Sequence, residues 1–150
     1  MAEILIKNQQ KLIPIPSPMI RRIVNGILAE LELQNPEISI LLLDDAQITE
    51  LNKDYLKRNK PTDVIAFPMR DDSFPNVQPQ LLGDVVISVE TAERQAAERG
   101  YSLYHEITYL ATHGILHLLG YDHEVSEEEE KRMRGKEEEI FSRVIKELDC

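Results

Sequence analysis

Residues 103–123 read LYHEITYLATHGILHLLGYDH, and the way this stretch folds decides the rest. Leu103, Ile107, Leu110, Gly114 and Leu118 recur at helical spacing, which predicts a helix with one buried stripe. Its other face carries Glu106, Tyr109, His113 and His117. Residues four apart share a helix face, so the imidazoles of His113 and His117 are expected side by side. Gly120 suits the left-handed position that ends a helix, and the turn then brings His123 back toward the pair.

Three neutral imidazoles plus one unfilled position make the ligand set of a catalytic zinc. A closed structural site needs a fourth protein ligand, and the single cysteine, Cys150, is the last residue. Two histidines at i, i+4 arise by chance. Three in His-x3-His-x5-His spacing, with a helix-ending glycine between the second and third, are harder to ascribe to packing. The fourth histidine, His105, stands off this face and is expected to be partly exposed or to support the ligands from behind.

The rest of the chain supplies a sheet and further helices. Residues 3–9 form a short apolar strand. Ser17-Pro18 reads as a cap followed by proline in the first turn, and Ile20, Ile23, Val24, Ile27, Leu28 and Leu31 mark the buried stripe of a helix ended by Asn35-Pro36. Ile38 to Leu43 is an unbroken apolar run, expected as a central strand buried on both faces. Asp44 or Asp45 caps a helix to about Tyr55, with Ile48, Leu51 and Leu56 facing inward. An exposed basic loop, Lys57 to Asp63, leads into a strand at Val64 to Phe67. Residues 68–80 hold three prolines and read as an irregular loop. Leu82 to Val89 is a strand, and Glu90 to Arg99 a helix closed by Gly100. Ser126 with Glu129 forms a capping box that starts a final acidic helix, with Met133, Ile140, Phe141, Val144 and Leu148 inside. The order predicts an α+β fold, a single mixed four-stranded sheet packed with about five helices. The first helix, as a crossover, makes the first two strands parallel.

At 150 residues the chain is expected to be a single metallohydrolase domain, 1–150. Its 42% hydrophobic content comes without an apolar run of membrane-spanning length, so no membrane partner is expected. The N-terminus lacks a basic-then-apolar leader pattern, and one cysteine forms no internal disulfide; both fit a cytoplasmic protein. The net charge of −10 argues against indiscriminate nucleic-acid binding. That charge is uneven: residues 124–139 carry eight acids and four bases, whereas residues 53–70 carry five bases and two acids. A polyanion can therefore be met locally.

A zinc held by three histidines makes hydroxide available near neutral pH, and points to a hydrolase without naming the bond. In zinc peptidases with His-Glu-x-x-His, the residue after the first ligand is the general base. Here that residue is Gly114, so a peptidase needs another proton acceptor. Glu106 is nearly two turns away, and Glu124, just after His123, is the better candidate. Phosphodiester hydrolysis depends more on charge stabilisation, which the Lys57 to Lys60 loop can supply. Asp122 can accept a ring N–H from a ligand histidine and fix its tautomer, though a helix-end turn favours aspartate anyway, and Ser88 can face the site from a strand end, which nothing in the sequence requires.

Three segments together carry a resemblance: HGILHLLGYDH at residues 113–123, KPTDVIAFP at residues 60–68 and LGDVVIS at residues 82–88. In order and spacing they resemble the bacterial YbeY family of rRNA maturation factors over roughly residues 37–145. The resemblance implies a zinc-dependent endoribonuclease of single-stranded RNA, acting in 16S rRNA 3′-end maturation and ribosome quality control. It implies His113, His117 and His123 as ligands of one zinc ion, and the 16S rRNA precursor and ribosome or ribosomal proteins as partners. The family pattern places an arginine directly after the tyrosine at position 55, where this chain has Leu56. Arg58 is the nearest replacement and Lys57 the next. Two other readings stand beside the nuclease: a zinc metalloprotease, and a non-catalytic zinc-stabilised module that docks on the ribosome.

Overall fold

The computed structural model describes residues 2–69, 81–121 and 126–148. Four strands, β1 (Glu3–Asn8), β2 (Glu37–Leu43), β3 (Val64–Pro68) and β4 (Leu81–Ser88), form one sheet in the order β1-β2-β4-β3. The pairs β1–β2 and β2–β4 are parallel and β3–β4 is antiparallel, which makes the sheet mixed. Five helices complete the α+β fold: α1 (Ser17–Glu30), α2 (Asp45–Leu56), α3 (Val89–Arg99), α4 (Leu103–Leu118) and α5 (Glu127–Leu148).

Alternation along the inner strands divides the core in two. Ile38, Ile40 and Leu42 of β2, with Val85 and Ile87 of β4, face the main cluster built with α1, α3, α4 and α5. Leu43 and Val86 face the other way and join Ile48 of α2 and Ile65 of β3 in a smaller cluster. In α1, Ile20, Ile23, Val24, Ile27 and Leu28 are all buried. At about 2 kcal/mol per buried aliphatic side chain, that one stripe contributes on the order of 10 kcal/mol toward holding the helix on the sheet.

The termini of these helices follow their sequence signals except at α1, which also ends at Glu30, ahead of the expected Asn35-Pro36 stop. Asp44 caps α2, its side chain accepting from the Gln47 backbone N–H at 2.8 Å while Gln47 reaches back to the Asp44 N–H. Ser126 accepts from the Glu129 N–H at 3.1 Å at the start of α5. At α1 the cap position is Pro16, which has no side-chain acceptor, and Ser17 is already helical. Other differences concern facing. Leu56, expected inward, is 47% exposed because the last turn of α2 overhangs a cleft. Leu31, Leu51, Phe141 and Leu148 are half-buried at the margins of the core.

Two polar features hold the layers. Asp45, at the start of α2, accepts hydrogen bonds from Ser88 Oγ (2.7 Å), Thr91 Oγ1 (2.6 Å) and Arg94 (2.7 Å), tying α2 to the N-terminus of α3. Ser88 is thus buried in this staple and not at the histidine face. Gly83 has φ +137, and a Cβ there would lie 2.2 Å from the Phe67 carbonyl oxygen, so only glycine lets β4 approach β3 at this point.

Partial burial on its own would raise the Asp45 carboxyl, but hydrogen bonds from Thr91, Ser88 and Arg94 outweigh it and hold it below the ordinary value of 3.8. A depressed carboxyl stabilises the fold above its unfolded pKa, and the contribution is lost as pH falls through the folded one. Asp45→Asn is therefore expected to be less stable than the parent at neutral pH, with the gap closing on acidification below 3.8. Urea unfolding across that range checks it. Gly83→Ala is expected to cost about 3 kcal/mol from strain and backbone overlap, read from the same unfolding curves.

Candidate active site

Helix α4 is set on the sheet at close range. A Cβ on Gly114 would stand 2.8 Å from Val85 Cγ1 and 3.3 Å from Val64 Cγ2, and valine is stiff at χ1. The site where zinc peptidases carry their glutamate is therefore filled by the sheet itself. One residue before it and one turn after it, His113 and His117 are half-buried and line a cleft of about 530 Å³. β3 lines the cleft along its whole length, Val64 to Pro68, together with Leu56, Gly114, Gly120 and Tyr121.

The structure brings the two expected imidazoles together, with His113 Nε2 and His117 Nε2 3.1 Å apart. His113 Nδ1 is hydrogen-bonded to the Glu137 carboxylate of α5, whose side chain is 7% exposed. A carboxylate at Nδ1 fixes the proton there in the neutral ring, so His113 Nε2 presents a lone pair. Two nitrogens at this separation suit a shared cation with Zn–N bonds of about 2.0–2.1 Å, and the carboxylate behind the ring is the support such ligands use. Among the described residues, no third His, Cys, Asp or Glu joins them to make a complete ligand group. His123, with Asp122 and Glu124, lies outside the described residues.

The helix end follows the expected glycine. Gly120 has φ +98, its N–H donates to the His117 carbonyl at 3.0 Å, and the Tyr121 N–H donates to Leu116 at 3.1 Å. This reversal points the chain onward from the histidine face. Tyr121 also lies under Arg132 of α5, 4.8 Å from guanidinium to ring centroid.

Lys57 and Arg58 follow Leu56 directly and are exposed, but neither lines the cleft. Lys57 ends α2 in the left-handed conformation with φ 59. Buried Asn52 pins this loop: its carbonyl accepts from the Arg58 N–H at 3.3 Å and its side chain donates to the Lys60 carbonyl at 2.9 Å. Glu106 is not on the cleft. It is fully buried and bound by Arg99 at 3.0 Å; burial pushes its carboxyl up and Arg99 pulls it back. His105 is half-buried, its ring edge-on to Tyr101.

Glu137 is the residue that reading the sequence missed. Its signal was present: Met133, Glu137, Ile140 and Val144 recur at i, i+4, i+7 and i+11, so a glutamate occupies an apolar register position. A carboxylate in a buried stripe needs a partner.

An α+β fold with an imidazole pair on the wall of an open cleft, beside the edge strand β3, fits the class of metal-dependent hydrolases. Comparison with known proteins narrows this class. The family model described as Endoribonuclease YbeY matches residues 5–145. An Endoribonuclease YbeY of Syntrophotalea carbinolica is 43% identical over 149 residues, covering 99% of each chain. One from Aquifex aeolicus is 52% identical over 121 residues, 81% of this chain and 79% of the relative. The solution structure of TM1509 from Thermotoga maritima superposes with a TM-score of 0.69 at 26% identity, covering 97% of this chain and 91% of that one. The chain belongs to the Endoribonuclease YbeY family and is an enzyme of the nuclease class. Among the described residues, no helix is long and apolar enough to cross a membrane.

Glu137→Gln keeps the volume but replaces the charged acceptor behind His113. It is expected to weaken the binding of a divalent cation by the imidazoles about tenfold or more, measured by competition with a chromophoric chelator while circular dichroism confirms the fold.

Proposed function

We propose that the chain acts as one domain, a zinc-dependent endoribonuclease specific for single-stranded RNA, with His113, His117 and His123 holding one zinc ion. The observation that carries this reading is the 3.1 Å approach of two Nε2 atoms on a cleft wall, one ring backed by a buried carboxylate. When bound, the ion supplies Lewis acidity, activating water near neutral pH and drawing charge from a phosphoryl oxygen. The chain's own groups do the rest. Glu137 holds His113 in one tautomer. Arg58 and Lys57, which follow the cleft-lining Leu56 in sequence, offer positive charge to the substrate's phosphates. Glu124, next to His123 in sequence, is the proposed proton acceptor.

The family name supports RNA as substrate. A role in 16S rRNA 3′-end maturation and ribosome quality control, with the ribosome as partner and the cytoplasm as location, extends the family resemblance. The peptidase alternative draws on the exposed strand beside the imidazoles, a place where an extended peptide can pair. Against it stands the tight seat of Gly114, which leaves no room for the usual glutamate. A docking module without catalysis could use the imidazole pair to hold a structural ion, but a closed structural site needs four protein ligands, and the pair opens on a cleft.

Wild-type protein is expected to cut single-stranded RNA and to spare duplex RNA of the same sequence. His113→Ala, His117→Ala and chelator treatment should each abolish cleavage while leaving most of the fold, since the main core is formed by other residues. Gel analysis of labelled RNA reads this out. Cleavage that survives both ligand substitutions would sink the proposal.

A further inference from the structure

Strand β3 is an edge of the sheet, and the cleft runs along all five of its residues. Its pairing with β4 fixes which backbone groups face that cleft. The Met69 N–H bonds to the Leu82 carbonyl at 3.0 Å and the Ser88 N–H to the Asp63 carbonyl at 2.9 Å. Directly opposed antiparallel pairs alternate between bonded and non-bonded. In the observed register, residues 63, 65, 67 and 69 therefore turn their N–H and C=O groups to β4, and Val64, Ala66 and Pro68 turn theirs outward. Proline at an outward position agrees, because no ladder bond needs its missing N–H.

The outward edge is unequal in chemistry. It offers three carbonyls, from Val64, Ala66 and Pro68. Of the donors, Pro68 has none and the Val64 N–H is occupied by Asp63 Oδ1 at 2.7 Å, so Ala66 keeps the one available N–H. A peptide adding as a strand needs donors and acceptors in alternation, and only Ala66 presents both. A ribose strand brings hydroxyl donors to an edge rich in acceptors.

We infer that the cleft-side edge of β3 holds the sugar-phosphate strand of the substrate, with the Val64 and Ala66 carbonyls accepting hydrogen bonds from 2′-hydroxyls. The Ala66 N–H donates to a ribose or phosphate oxygen. RNA is thereby told from DNA by the main chain, at nucleotides beside the cleaved bond. This rests on the endoribonuclease reading and names what that site recognises.

The test titrates full-length His117→Ala protein with labelled single strands, all-ribose or carrying 2′-deoxy or 2′-fluoro sugars at the flanking nucleotides. Each flanking deoxy sugar is expected to weaken binding about three- to tenfold, the worth of one hydrogen bond. The 2′-fluoro sugar, which accepts but does not donate, should do no better. Ala66→Pro, substituted at an outward position that tolerates proline, should weaken the all-ribose strand by a similar factor and locates the contact on β3. Equal binding of ribose and deoxy strands would overturn the inference, as would full affinity of the 2′-fluoro strand or of folded Ala66→Pro. So would an extended peptide that displaces the RNA from this variant and is cut by the wild type. If Ala66→Pro fails to fold, the sugar comparison still decides. Cleavage of the all-ribose strand by wild type is followed alongside. Its absence would count against the nuclease reading, while the binding comparison judges the edge on its own.

Discussion

The closeness of α4 to the sheet is the constraint on which the site depends. At Gly114 the helix comes near enough to Val85 and Val64 that a methyl group would collide. This seat leaves His113 and His117 half-buried on the cleft that β3 also lines, while Ile115, Leu116 and Leu118 of the same helix stay buried. It also decides which chemistry is available. A side chain at the residue after the first histidine would lift the helix, so the proton acceptor has to come from another part of the chain.

Buried or half-buried polar groups do the fine positioning. Asn52 fixes the loop that bears Lys57 and Arg58, Glu137 stands behind His113, and Asp45 joins the starts of α2 and α3. Each has a partner in a different segment, and each sets a direction that hydrophobic contact alone leaves loose.

Much of this was legible in the sequence, for local reasons. The α1 stripe, a cap at Asp44 or Asp45, the Ser126 cap and the reversal at Gly120 depend on residues within a few positions of one another, so spacing reveals them. The side-by-side imidazoles follow from helical geometry in the same way. What spacing did not reveal involves distant partners. The insertion of β4 between β2 and β3 depends on pairings across tens of residues, and Glu137 lies 24 positions from His113 within a run of acids that reads as solvated. The inward reading of Leu56 failed because a helix period names a face without saying whether core or cleft lies beneath it.

The anchoring of α5 has a reciprocal side. Arg143 bonds Glu30 at 3.0 Å and Arg22 bonds the Glu147 carbonyl at 3.1 Å, so the same helix that carries Glu137 is clasped to α1. Occupancy of the imidazole pair and attachment of the terminal helix are therefore linked quantities. Whatever free energy a bound ligand gains from the docked helix, the docked helix gains from the ligand, and a load that prised α5 from α1 would be felt as weakened affinity at the cleft.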